Sequence, residues 1–93
     1  VIRNFADKET ERLFATEQCR RLPPDILFRA LAQLNRLHAA TSLEDLRSPP
    51  SNRLEPLRGD RTGQWSIRIN QQWRLCFRFV EGDALDVEIV DYH

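Results

Sequence analysis

Nowhere in these 93 residues does an uninterrupted apolar run approach the roughly 18 residues that a membrane-crossing helix requires, so no membrane association is expected. The opening Val1, Ile2, Arg3, Asn4, Phe5 has one basic residue but neither a long apolar stretch nor a small-residue cleavage site behind it. No export signal is read there, and a cytoplasmic location is expected. Cysteine is scarce. Cys19 and Cys76 lack metal-ligand spacing and sit among apolar or basic residues, so both are expected to be reduced and structural. There are only two histidines, no phosphate loop, no pairing of serine with histidine and no paired metal-ligand spacing, which removes most enzyme classes. No cofactor or metal is expected. Lysine is almost absent: Lys8 is the one exception among fourteen basic residues, the rest being arginine. Arginine's planar fork grips phosphate in two places and stacks on bases, where lysine offers a point charge.

The formal net charge is zero, which by itself argues against a nucleic-acid partner. Its distribution reverses the inference. Residues 1 to 46 hold seven basic and seven acidic side chains, whereas residues 47 to 78 hold seven arginines against Glu55 and Asp60, and residues 79 to 93 hold five acids. The middle segment therefore looks like an anion-binding surface, although a salt-bridged, solvated sheet face is the commoner origin of such a cluster.

The length suits a single domain spanning residues 1 to 93 with a modest core. Alternation over residues 1 to 5 suggests a short strand, with Ile2 and Asn4 on one side. Asp7 reads as a helix N-cap with Glu9 and Glu11 in the first turn, the helix running to about Cys19 with Arg20 and Arg21 at its negative end. Pro23 and Pro24 break this helix and start another, whose apolar stripe is read as Leu27, Leu31, Leu34 and Leu37, widened by Ile26 and Ala30, with Arg29, Gln33 and Arg36 on other faces. His38 is explained by its place near the end of that helix and is given no function. Ser42 and Asp45 cap a short turn over Leu43 to Leu46, and residues 48 to 52 read as an extended, mobile connector. From Arg53 the period becomes two. Trp65, Ile67 and Ile69 alternate with Ser66, Arg68 and Asn70, and Trp73, Leu75, Phe77 and Phe79 with Arg74, Cys76 and Arg78. A turn at residues 70 to 72, a second at 81 to 83 and a last strand from Leu85 to Tyr92 complete an α+β fold. It has two N-terminal helices packed on one face of a small twisted antiparallel sheet, the other face open. A basic, aromatic-rimmed sheet face suits single-stranded RNA.

The run from Leu57 to Ile69 (Leu, Arg, Gly, Asp, Arg, Thr, Gly, Gln, Trp, Ser, Ile, Arg, Ile), then Trp73 to Phe77 and the terminal Asp91, Tyr92, His93, resembles HigB-type toxins of the RelE-like superfamily. The opening Ile2, Arg3, Asn4, Phe5 and the helical half fit the same pattern, so the resemblance covers nearly the whole chain. It implies a metal-independent endoribonuclease that cleaves mRNA in the A site of the 70S ribosome, with the ribose 2′-hydroxyl as nucleophile. The partner it implies is a HigA-type helix-turn-helix antitoxin, in a complex that either covers the basic sheet or is too large for the ribosome. Carried over residue by residue, Arg74 matches the arginine at the scissile phosphate, Tyr92 and His93 the terminal pair that stacks on substrate and moves protons, and Asp91 their orienter. Arg53, Arg58, Arg61, Arg68 and Arg78 are the candidate RNA contacts. Glu55 stands where relatives place a histidine, leaving the general base open between Glu55 and the terminal pair. A salt bridge to Arg53, Arg58 or a sheet neighbour is the expected role of Glu55. The competing readings are a ParE-like, non-catalytic inhibitor of DNA gyrase or another protein, and a regulatory RNA-binding module.

Overall fold

The computed structural model describes residues 1 to 91; the expected roles of Tyr92 and His93 fall outside the described residues. Helix α1 spans Lys8–Thr16 and helix α2 Pro24–Ala39. Four strands follow: β1 Glu55–Pro56, β2 Trp65–Arg68, β3 Trp73–Val80 and β4 Asp83–Asp91. They form an antiparallel meander in the order β1-β2-β3-β4. Short 3₁₀ turns occupy Leu43–Leu46, Pro50–Asn52 and Gly59–Arg61. The two-residue β1 has no sequence signal of its own. No helix among the described residues is long and apolar enough to cross a membrane.

Local chemistry explains most boundaries. Asp7 caps α1, its carboxylate accepting from the Thr10 amide at 3.1 Å. The helix stops at Thr16 rather than near Cys19, because Glu17 turns into the left-handed region (φ 63°) and its amide closes on the Leu13 carbonyl. Arg20 and Arg21 therefore do not sit in its last turn; Arg21 instead reaches Asp7 at 3.5 Å and the Ile89 carbonyl at 2.9 Å. Pro24 opens α2 at the position where a missing N–H costs nothing. The hairpin between β3 and β4 turns through Glu81 and Gly82, both with positive φ (50° and 85°), as a two-residue primed turn requires.

The core lies between the helices and one face of the sheet. Leu13, Ile26, Ala30, Leu34 and Leu37 meet Ile67, Ile69, Leu75, Phe77, Val87 and Ile89, all buried. The buried stripe of α2 is Ile26, Ala30, Gln33, Leu34 and Leu37, so Gln33 faces inward and Leu27 and Leu31 only flank the core. Residues 1 to 6 pair in parallel along the outer edge of β4, with Arg3 and Ala6 amides donating to Ala84 and Val87 carbonyls. The expected strand is thus an edge pairing, and Ile2 and Phe5 face the core in place of a strict alternation. Asn4 clasps Asp86 in both directions, at 3.0 Å and 2.9 Å, where Asp86 (φ 53°) makes a bulge opposite β3. That bulge shifts the phase of β4, so Ala84 and Val87, three apart, both point to the helices. His38 accepts from the Ile2 amide through Nδ1 at 3.1 Å and packs on Phe14, pinning the N-terminal segment to α2.

Candidate functional site

The 48 to 52 connector is anchored where a mobile segment was expected. Asn52 is almost completely buried and donates from Nδ2 to the carbonyls of Leu46 (3.2 Å) and Ser48 (3.3 Å). Its Oδ1 accepts from Gln33 Nε2 (3.1 Å) and Arg36 Nη1 (2.9 Å). Gln33 Nε2 also donates to the Arg68 carbonyl at 2.6 Å, and its own Oε1 accepts from Arg36. One buried amide cluster thereby joins α2, the connector and the end of β2. Buried polar groups are stable only when satisfied, and here the side-chain amides of Gln33 and Asn52 all find partners.

The next residue, Arg53, takes a left-handed conformation (φ 49°) and points its carbonyl at Arg74, whose Nη2 donates to it at 2.7 Å. Arg74 Nη1 forms an ion pair with Glu55 Oε1 at 3.2 Å, and Nη2 also approaches the Ser66 carbonyl at 3.5 Å. Arg74 was expected on an open strand face. It is only 8% exposed, because the connector and β1 close over it. The ion pair expected for Glu55 is formed with this sheet neighbour, and its carboxylate remains about half exposed (48%).

Arg74 forms the wall of a cavity of about 320 Å³ completed by Arg53, Arg68, Asn70 and Gln71. Arg68 stands opposite Arg74 across the β2 and β3 ladder. Neither Arg53 nor Arg68 makes an ion pair among the described residues. Asn70 shapes the rim by accepting the Gln72 and Trp73 amides on Oδ1, at 2.8 Å and 2.7 Å. Asp91 ends β4 at the same end of the sheet, opposite Trp73, and accepts from Gln72 Nε2 at 3.2 Å. Three guanidinium groups around one hollow, with Glu55 paired to one of them, suit an anion with several oxygens.

The remaining expected residues lie apart from that hollow. Arg58 is exposed and lines an adjoining cavity of about 440 Å³ with Glu55, Pro56 and Leu57. Arg61 folds across the sheet to Glu88 (3.1 Å) and Gln64 (3.0 Å). Arg78 pairs with Asp86 at 3.7 Å, beyond the bulge. Cys76 is fully buried, and burial pushes its thiol above the ordinary range against the pull of Arg61, which leaves it a small core side chain. The residues that sequence reading missed are Gln33, Asn52 and Arg36. Gln33 had a signal: it falls at helical spacing from Ile26, Ala30 and Leu37, and a polar group inside such a stripe needs a buried partner. Asn52 had none.

The Arg74 and Glu55 contact yields a prediction. A half-exposed ion pair stabilises little, and a glutamine keeps an oxygen that can accept from the same guanidinium nitrogen. Glu55→Gln is expected to lower stability by less than about 1 kcal/mol and to leave the RNA cleavage implied by the resemblance nearly unchanged across neutral pH. Loss of the acidic limb of the pH and rate profile would instead make Glu55 the general base.

Comparison with known proteins gives matches over most or all of the chain. The model of the HigB-like toxin family, described as the RelE-like toxin of type II toxin-antitoxin system HigB, matches residues 3–93. The chain is 43% identical over 83 residues to Toxin HigB-1 of Vibrio cholerae serotype O1, covering 88% of this chain and 87% of that protein. It is 33% identical over 93 residues to Endoribonuclease HigB of Proteus vulgaris, covering 100% of both. Among solved structures it is similar to a YoeB/ParE toxin from Agrobacterium tumefaciens, with a TM-score of 0.50 at 20% identity, covering 100% of this chain and 95% of that one. The last likeness is one of fold.

Proposed function

Because this chain belongs to the HigB-like toxin family of type II toxin-antitoxin systems, we propose that it is an mRNA endonuclease that works on the ribosome, cutting in the A site. Its fold is the RelE-like α+β arrangement, and as a member of a toxin-antitoxin family it has an antitoxin partner. A HigA-type helix-turn-helix protein is the proposed form of that partner. The observation that carries the enzymatic reading is the gathering of Arg53, Arg68 and Arg74 around one hollow, with Asp91 at the same end of the sheet. The name of the Proteus vulgaris relative supports the same reading.

The chemistry proposed needs no group that the chain lacks. The 2′-oxygen attacks the adjacent phosphorus as its proton leaves to a base, the bond from phosphorus to the 5′-oxygen breaks, and that oxygen takes a proton. The products are a 2′,3′-cyclic phosphate and a 5′-hydroxyl. Charge builds on the non-bridging oxygens in the transition state, where a fixed guanidinium is most effective because it needs no reorganisation. Arg74, held on the Arg53 carbonyl and Glu55, is that group. Arg53 and Arg68 hold flanking phosphates. Tyr92 and His93 follow Asp91 directly in sequence and supply stacking and proton exchange, histidine being the side chain whose ordinary pKa, about 6.5, suits neutral pH. Arg58 extends the basic rim, while Arg61 and Arg78, paired with Glu88 and Asp86, are not assigned an RNA contact.

A shallow hollow that grips phosphate does little to align a 2′-oxygen for attack, so the ribosome must supply the alignment. Purified protein is therefore expected to cut a labelled mRNA in the presence of translating ribosomes and to leave the same naked mRNA almost intact. Rapid cleavage of the naked mRNA would overturn ribosome dependence.

A further inference from the structure

The Arg74 hollow and a cavity on helix α2 share no lining residue, but their linings are neighbours in the chain. Asn52, next to Arg53 in the chain, and Ile69, next to Arg68, both line a second cavity of about 190 Å³ whose far wall is Phe28, Arg29 and Arg36. Phe28 is 83% exposed, against 44% for Val80 and 41% for Val1, the other exposed large apolar residues among those described. It lies two positions from Ile26 and so points away from the core face of α2. The fold has no use for a phenylalanine there. Arg29 is exposed and makes no ion pair among the described residues, and Arg36 is held by the amides of Gln33 and Asn52 without a carboxylate. Asp25 is the acid nearest in sequence and sits in the first turn, where the helix dipole favours it.

We propose that this face of α2 is an accessory track for single-stranded RNA, with Phe28 stacking an unpaired base while Arg29 and Arg36 meet phosphates, the strand reaching it from the Arg74 hollow around the turn at Asn52 and Arg53. This rests on reading the hollow as an RNA site. An exposed ring between arginines is the pairing that single-strand binders use: every base has a face to stack, and the cations follow the backbone. A protein partner fits less well. A stable protein interface needs on the order of 800 Å² from each side with an apolar centre, whereas the exposed apolar surface here is little more than one ring. Ile69 beneath it is fully buried.

The test uses the whole protein and labelled 2′-O-methyl oligoadenylates, which lack the nucleophile and cannot be cut. A tetramer probes the hollow alone, and a dodecamer probes hollow and track together. Phe28→Ala is expected to weaken the dodecamer between about five-fold and about hundred-fold, leave the tetramer unchanged, and be rescued by Phe28→Trp. Arg29→Ala is expected to reduce the slope of log affinity against log salt by about 0.7. Arg53→Ala should weaken both lengths. If Arg53→Ala acts on both while Phe28→Ala leaves the dodecamer unchanged, the track is wrong and the hollow stands. If neither length binds, or Arg53→Ala changes nothing, the reading of the hollow fails and the track with it. If Phe28→Ala leaves RNA affinity intact but frees the toxin from its co-expressed antitoxin, the face belongs to a protein, and the proposal is overturned.

Discussion

Arg74→Ala is expected to lower mRNA cleavage on ribosomes by about a hundred-fold to a thousand-fold, the range found when a single donor to a developing oxyanion is removed. The structure adds a second consequence. Arg74 is buried and donates to the Arg53 carbonyl at 2.7 Å, so alanine leaves that acceptor without its donor and destabilises the fold by about 1–2 kcal/mol. Arg74→Lys separates the two effects. Lysine keeps the charge and a donor for the Arg53 carbonyl, but it cannot hold that carbonyl and Glu55 while presenting a planar edge to phosphate. It is expected to restore most of the stability and little of the activity. A lysine variant with full cleavage would show that only charge matters there.

The largest loss of stability is expected at Asn52. Its side chain satisfies the carbonyls of Leu46 and Ser48 and the donors of Gln33 and Arg36, all within or beside the core. Asn52→Ala strands several of these at once and is expected to cost about 2–3 kcal/mol. For a chain of this size that lowers Tm by roughly 10–20 °C, readable by thermal unfolding. Cleavage should fall as well, at temperatures where the variant is still folded, because Asn52 fixes the turn that aims the Arg53 carbonyl at Arg74. A variant as stable and as active as the parent would mean that the connector does not position the site.

The elements with a strong period were legible in the sequence. Period two over Trp65–Arg68 and Trp73–Val80, proline at the start of α2 and aspartate at the start of α1 each reflect one local rule, and each is where it was expected. What failed was whatever depended on partners distant in sequence. Arg74 alternates correctly onto the face away from the helices, yet its burial comes from Arg53 and Glu55, about twenty residues earlier. Gln33 looked like a surface residue because its three partners, Asn52, Arg36 and the Arg68 carbonyl, meet only in the folded chain. The bulge at Asp86 is likewise set by Asn4 from the far end of the sequence. Of the arginines counted as one basic segment, the fold brings Arg53, Arg68 and Arg74 together and sends Arg61 and Arg78 to acids elsewhere. Composition could register the excess of charge but not this division.

The central claim is that the protein stops growth by cutting RNA rather than by holding a protein target. Its most direct test is to map mRNA 5′ ends in a translating extract after adding the purified chain without its antitoxin. The account predicts new ends bearing 5′-hydroxyls, in phase with the codon in the ribosomal A site, and lost when Arg74 is replaced by lysine. Intact mRNA under conditions where the chain still arrests growth would contradict it, and would point to an inhibitor acting by contact through the same sheet.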